Sequence, residues 1–122
     1  MMHSQIRLQR VYDPIPLSNI YCYLVDRLWP RGITKQRLQG IIWLKDIAPS
    51  HELRRWYHAN SDQWQLFYHK YWQELEKKPV VSTLITLLKR RKTIMLLYSS
   101  PDHEHNHAII LRDFLLNKLN NQ

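Results

Sequence analysis

Apolar and polar side chains alternate through Ile6-Arg7-Leu8-Gln9-Arg10-Val11, which predicts a half-buried strand, because successive strand side chains point to opposite faces. Asp13-Pro14-Ile15-Pro16 breaks it, since two prolines remove donors and fix φ. Tyr21 to Val25 is an unbroken aromatic and aliphatic run, as expected of a strand covered on both faces. It passes into Asp26-Arg27-Leu28-Trp29-Pro30-Arg31-Gly32, where proline and glycine mark a loop. Thr34 is placed to cap a short helix over Lys35 to Leu38, which Gly40 would end.

The character of the chain changes after Trp43-Leu44-Lys45-Asp46. Ser50, followed by Leu53 and Trp56, predicts a capped helix near Ser50 to His58. Ser61 is read as the cap of a longer helix with Trp64, Phe67, Tyr68, Tyr71, Trp72 and Leu75 on one stripe. Beyond Pro79, Val80, Leu84, Leu87 and Leu88 repeat at helical spacing. Thr93 to Tyr98 reads as a buried strand. Ser100 and Pro101 are placed as N-cap and first residue of a final helix running to about Leu119.

The order is thus strand, strand, a short strand, helices, strand, helix. Strands joined through helices imply right-handed crossovers and parallel pairing. The expectation is a small three-layer, Rossmann-like α/β domain over residues 1–122, with a short, mainly parallel sheet flanked by helices. Ligands of such sheets bind beyond the carboxyl ends of the strands. Two loops qualify: Asp26 to Gly32 and Ser99 to His107.

Composition narrows the chemistry. The chain has 122 residues, enough to bury about two-thirds of its unfolded surface around one core. Its two glycines cannot write a dinucleotide fingerprint or a phosphate loop, and its one cysteine excludes an internal disulfide and a multi-thiolate zinc site. No leader or membrane-spanning run is apparent, so a cytoplasmic protein without a membrane partner is expected.

In the first loop, Arg27 and Arg31 lie four residues apart beside Trp29, a set able to clamp a carboxylate or phosphate with planar hydrogen bonds. The competing structural reading pairs Asp26 with one arginine and packs Trp29. In the second loop, Tyr98, Ser99 and Asn106 offer polar groups that could orient an anion. His103, His105 and His107 alternate, but a helix puts only the first and last on one face, so no metal site is assigned. Arg54 and His58 share a helical face and could add a cation and an acid–base group; His58 and His107 are the acid–base candidates. Cys22, inside a strand, reads as packing.

The formal net charge is +8, with 18 Lys+Arg against 10 Asp+Glu. Much of it sits in Lys89-Arg90-Arg91-Lys92 at a helix end, where the helix dipole favours cations. A nucleic-acid partner would require this run to share a face with Arg27, Arg31, Arg54 and Arg55.

Arg10-Val11-Tyr12-Asp13-Pro14, Leu24-Val25-Asp26-Arg27-Leu28-Trp29-Pro30-Arg31-Gly32, Trp43-Leu44-Lys45-Asp46-Ile47-Ala48-Pro49-Ser50 with Leu53-Arg54, and Leu96-Leu97-Tyr98 with Asn106-His107-Ala108 resemble, in order and spacing, the bacterial YeaO-like proteins, a domain-of-unknown-function family. The resemblance spans about residues 6 to 117 and implies a compact cytoplasmic α/β protein, with no reaction attached. Family members usually carry a glycine and an arginine where this chain has Ile20 and Cys22. The expected function is to bind, or act on, a small anionic or nucleotide-like ligand at the strand ends, with a basic nucleic-acid-binding module as the alternative. A third reading, a scaffold whose polar motifs are structural, predicts that Arg27→Ala costs stability alone. No cofactor is specified.

Overall fold

The computed structural model describes residues 5–15 and 19–121; Pro16, the second of the two expected strand breakers, lies outside them. The elements are β1 (Ile6–Arg10), β2 (Tyr21–Leu24), β3 (Ile42–Trp43), a 3₁₀ turn (Lys45–Ile47), α1 (His51–Ala59), α2 (Trp64–Leu75), α3 (Val81–Lys89), β4 (Ile94–Tyr98) and α4 (His107–Asn120). The four strands form one parallel sheet in the order β1-β4-β2-β3.

The apolar run of β4 follows from its central place, where all five residues are buried. Ile94, Leu96 and Tyr98 face the helices with Phe114, Leu111 and Tyr71, while Met95 and Leu97 face the other side with Leu24 and Val11. Helices α2, α3 and α4 pack on one face only. The third layer is irregular: Trp29, Ile33, Leu38 and Ile41, from the segment between β2 and β3, cover the opposite face.

Within that segment Thr34 Oγ1 accepts the Arg37 N–H at 3.1 Å, yet the expected helix does not form and residues 35–40 are turns. Lys35-Gln36-Arg37-Leu38-Gln39 offers one apolar residue, too few for a stripe that packing could hold helical. Gly32 and Gly40 both take positive φ, at 76° and 86°.

The helix starts divide similarly. Ser50 caps α1, its Oγ accepting the Leu53 N–H at 3.1 Å while donating to Glu74 Oε2 at 2.6 Å. Ser61 does not cap α2, which starts at Trp64 after Gln63; turn bonds from Asn60 N–H to Tyr57 O and Gln63 N–H to Asn60 O occupy the intervening chain. Ser100 and Pro101 do not open α4 either. Asp102 Oδ1 accepts the N–H groups of Glu104 and His105, both at 2.9 Å, a local turn that competes with helix. The cap is Asn106, whose Oδ1 accepts the Ile109 N–H and whose Nδ2 donates to Asp102 O. No helix among the described residues is long and apolar enough to cross a membrane.

Candidate functional site

Parallel strands bring the ends of β2 and β4 to one edge, and a cleft of about 590 Å³ opens there. The loop after β2 supplies Arg27, Trp29 and Arg31; α1 supplies Arg54 and His58; the loop after β4 and the start of α4 supply Ser99, Asn106 and His107. Tyr98 does not line it. That side chain is buried, with its hydroxyl 3.3 Å from His103 Nδ1.

Asp26 organises the floor. It is 7% exposed, and its Oδ2 accepts both the backbone N–H of Ser99, at 3.0 Å, and the Ser99 hydroxyl. Its Oδ1 lies 3.4 Å from His107 Nε2. The same nitrogen is 2.8 Å from Val25 O, a group that only accepts, so Nε2 is the donor of that bond. Asp26 therefore bonds across strands to Ser99 and lies beside His107, and it is not paired with an arginine.

Arg27 is braced by backbone: Nε donates to Pro49 O at 2.9 Å and Nη2 to Ala48 O at 3.2 Å. Those carbonyls follow the 3₁₀ turn, whose Ile47 O accepts the hydroxyl of buried Tyr71 at 2.7 Å. Trp29 donates to Ile33 O at 2.6 Å and meets Trp43 edge-on, with centroids 5.3 Å apart. Arg31 and Arg54 are exposed, and among the described residues neither has a carboxylate within 4.0 Å.

The geometry differs from a nucleophilic triad, in which an imidazole stands between hydroxyl and carboxylate. Here the carboxylate stands between Ser99 and His107, and no imidazole faces the hydroxyl proton. The three alternating histidines turn to different partners. His103 meets Tyr98, His105 packs on Trp64 with centroids 4.8 Å apart, and His107 meets Asp26 and Val25.

The two N–H groups donated to Asp102 hold its carboxyl below the ordinary value of 3.8. Since its folded pKa lies below the unfolded one, the carboxylate's contribution is complete above the unfolded value and lost as pH falls through the folded one. Carboxyl-carbon NMR is expected to place the Asp102 midpoint below 3.8, with the Glu104 and His105 amides losing protection in the same window.

Two walls escaped sequence reasoning. Tyr57 and Phe67 both line the cleft and stack with centroids 4.0 Å apart, although Phe67 belongs to the core stripe of α2. Asp26 had a legible signal, an acid directly after a buried apolar strand, but its partners lie far away in sequence. Ile20 and Cys22, the positions at which the resemblance leads one to expect a glycine and an arginine, line no part of the cleft. Both pack on the loop-covered face of the sheet.

The sequence matches the family described as the inactive DUF488-N3 subclade over residues 5–122. The Escherichia coli (strain K12) protein named Uncharacterized protein YeaO is 39% identical over 110 residues, which are 90% of this chain and 96% of that one. Uncharacterized proteins of Mycobacterium tuberculosis (strain H37Rv) and Mycobacterium bovis are each 34% identical over 112 residues, 92% of this chain and 94% of theirs. No solved structure matches the chain.

Proposed function

The chain belongs to the YeaO-like DUF488 family, in the subclade described as inactive, and from that premise we propose that its strand-end cleft binds a small carboxylate or phosphate and does not transform it. The observation that carries this is the pairing of the charges in the cleft. The carboxylates there, Asp26 and Asp102, already accept hydrogen bonds from the protein, whereas Arg31 and Arg54 have no carboxylate partner among the described residues. Arg27 adds a guanidinium held in place before any ligand arrives, so less side-chain freedom is lost on binding.

Binding without turnover agrees with Ser99, whose hydroxyl is directed to a carboxylate. It agrees too with His107, whose Nε2 is committed to Val25. His58, exposed on α1, remains the acid–base candidate with fewest protein constraints.

A thermal-shift screen with inorganic phosphate, nucleotides and small dicarboxylates tests the proposal. At least one ligand is expected to raise the melting temperature saturably. Arg54→Ala should weaken that ligand about tenfold or more, the worth of one charge-assisted hydrogen bond, while leaving the unliganded melting temperature near wild type. A screen in which nothing shifts the transition, or in which the shift survives loss of both Arg31 and Arg54, removes the proposal.

A further inference from the structure

The amino-terminal edge of the sheet carries the other concentration of positive charge. Lys89, Arg90, Arg91 and Lys92 are all exposed there, and among the described residues none has a carboxylate within 4.0 Å. The dipole of α3 accounts for cations in its last turn. It does not account for Arg91, which lies past the helix.

α3 closes in a Schellman arrangement. The Arg91 N–H donates to Leu88 O at 3.0 Å and the Lys92 N–H to Leu87 O at 3.1 Å, while Gln5 Nε2 bonds Leu88 O and Lys92 O from β1's side. This closure puts Arg91 at φ 62°, in the left-handed region where a Cβ is disfavoured and glycine is usual. Both glycines of the chain sit at positive φ, and the other such residue among the described residues, Asn19, is of a type that tolerates it. Arg91 is the exception: an arginine stands where glycine would fold with less strain. Strain of this kind points toward a role for the side chain.

Beside it, Asn19, Ile20, Tyr21 and Lys92 line a hollow of about 390 Å³, and Tyr21 is 44% exposed. An exposed tyrosine, an asparagine and a lysine bordering one hollow suit a flat, hydrogen-bonding group with phosphates on either side. We infer that this edge binds single-stranded nucleic acid, with phosphates on Lys89 to Lys92 and one base against Tyr21. A single strand is favoured over a duplex because only unpaired bases offer a free face, and over a membrane because a row of cations beside one exposed tyrosine matches a phosphate backbone with a stacked base. The surface lies at the opposite end of β4 from the cleft, with the five residues of that strand between them, about 16 Å. Lys89 to Lys92 therefore do not share a face with Arg27, Arg31 and Arg54, as the sequence reading of a nucleic-acid module required, and this edge must bind with its own four cations.

Fluorescence anisotropy with a labelled oligothymidine, the corresponding duplex and phosphatidylserine vesicles tests this on the full chain. Four phosphate contacts predict an affinity for the single strand that falls about 50-fold between about 50 and 200 mM salt. Arg91→Gly is expected to melt about 4 °C higher, by release of strain, yet to bind about fivefold more weakly. Tyr21→Leu should weaken binding about tenfold through lost stacking. Lys35→Gln, the same change of charge on an exposed turn elsewhere, should alter neither property. The inference is overturned if Arg91→Gly binds as wild type, if duplex or vesicles bind as tightly as the single strand, or if no oligonucleotide binds at about 50 mM salt.

Discussion

Replacing Asp26 with alanine is expected to lower the melting temperature by about 12 °C, corresponding to roughly 3 kcal/mol. The carboxylate is almost wholly buried and accepts the Ser99 N–H and hydroxyl while facing His107 Nε2. Alanine leaves the two Ser99 donors without their acceptor in a place water reaches poorly, whereas His107 Nε2 keeps Val25 O, and each stranded group costs about 1–3 kcal/mol. The Ser99 hydroxyl can rotate away, so the backbone N–H dominates. Asp26→Asn should fall between, because its one carbonyl oxygen can serve the Ser99 N–H but its amide group meets donors. Ser99→Ala, which keeps the backbone bond, is expected to cost only about 1 kcal/mol. Calorimetry on the three variants separates these contributions. If Asp26→Ala melts within about 2 °C of wild type, this carboxylate does not tie the ends of β2 and β4 together.

The second large effect is expected at Tyr71, which joins the core to the site. Its ring is fully buried, stacked near Phe67 and edge-on to His107, and its hydroxyl donates to Ile47 O. Burial raises its phenol pKa well above 10.0, so the hydroxyl stays a donor at ordinary pH. Tyr71→Ala removes a whole aromatic ring from the core and is expected to cost about 4–5 kcal/mol, read from the urea midpoint at unchanged m. Tyr71→Phe keeps the packing and strands one carbonyl, for about 1–1.5 kcal/mol. Ile47 immediately precedes Ala48 and Pro49, whose carbonyls hold Arg27, so Tyr71→Phe should also weaken any anion that Arg27 binds. A phenylalanine variant with wild-type stability and affinity would show that the Tyr71 hydroxyl supports neither.

The strands and most helices were legible because their signals are local. The continuous run in β4 reflects burial on both faces, and the Ser50 cap lies beside the donor it accepts. Where a local rule had a close competitor, it misled. Ser100-Pro101 reads as a helix start, but Asp102 offers two backbone N–H groups a tighter bond and delays the helix to His107. Lys35 to Leu38 has a cap and a stop signal, yet too little apolar surface to be held as a helix.

The candidate site divides along the same line. That polar groups gather in the loops after β2 and β4 follows from the sequence, because buried parallel strands must end on one edge and their loops must meet there. Which of those groups is free could be decided only by tertiary structure. Asp26 finds Ser99 at a separation of 73 residues, Arg27 finds Pro49 at 22, and His107 finds Val25 at 82. Hydrogen-bond partners are chosen by distance in space, and the strand order β1-β4-β2-β3 sets those distances. The same order places two groups of cations, Arg27 with Arg31 and Arg54, and Lys89 to Lys92, at opposite edges of one sheet. Composition alone showed the net charge as a single sum; folding gathered part of it into an arginine-lined cleft at one end of β4 and a strained cationic edge at the other.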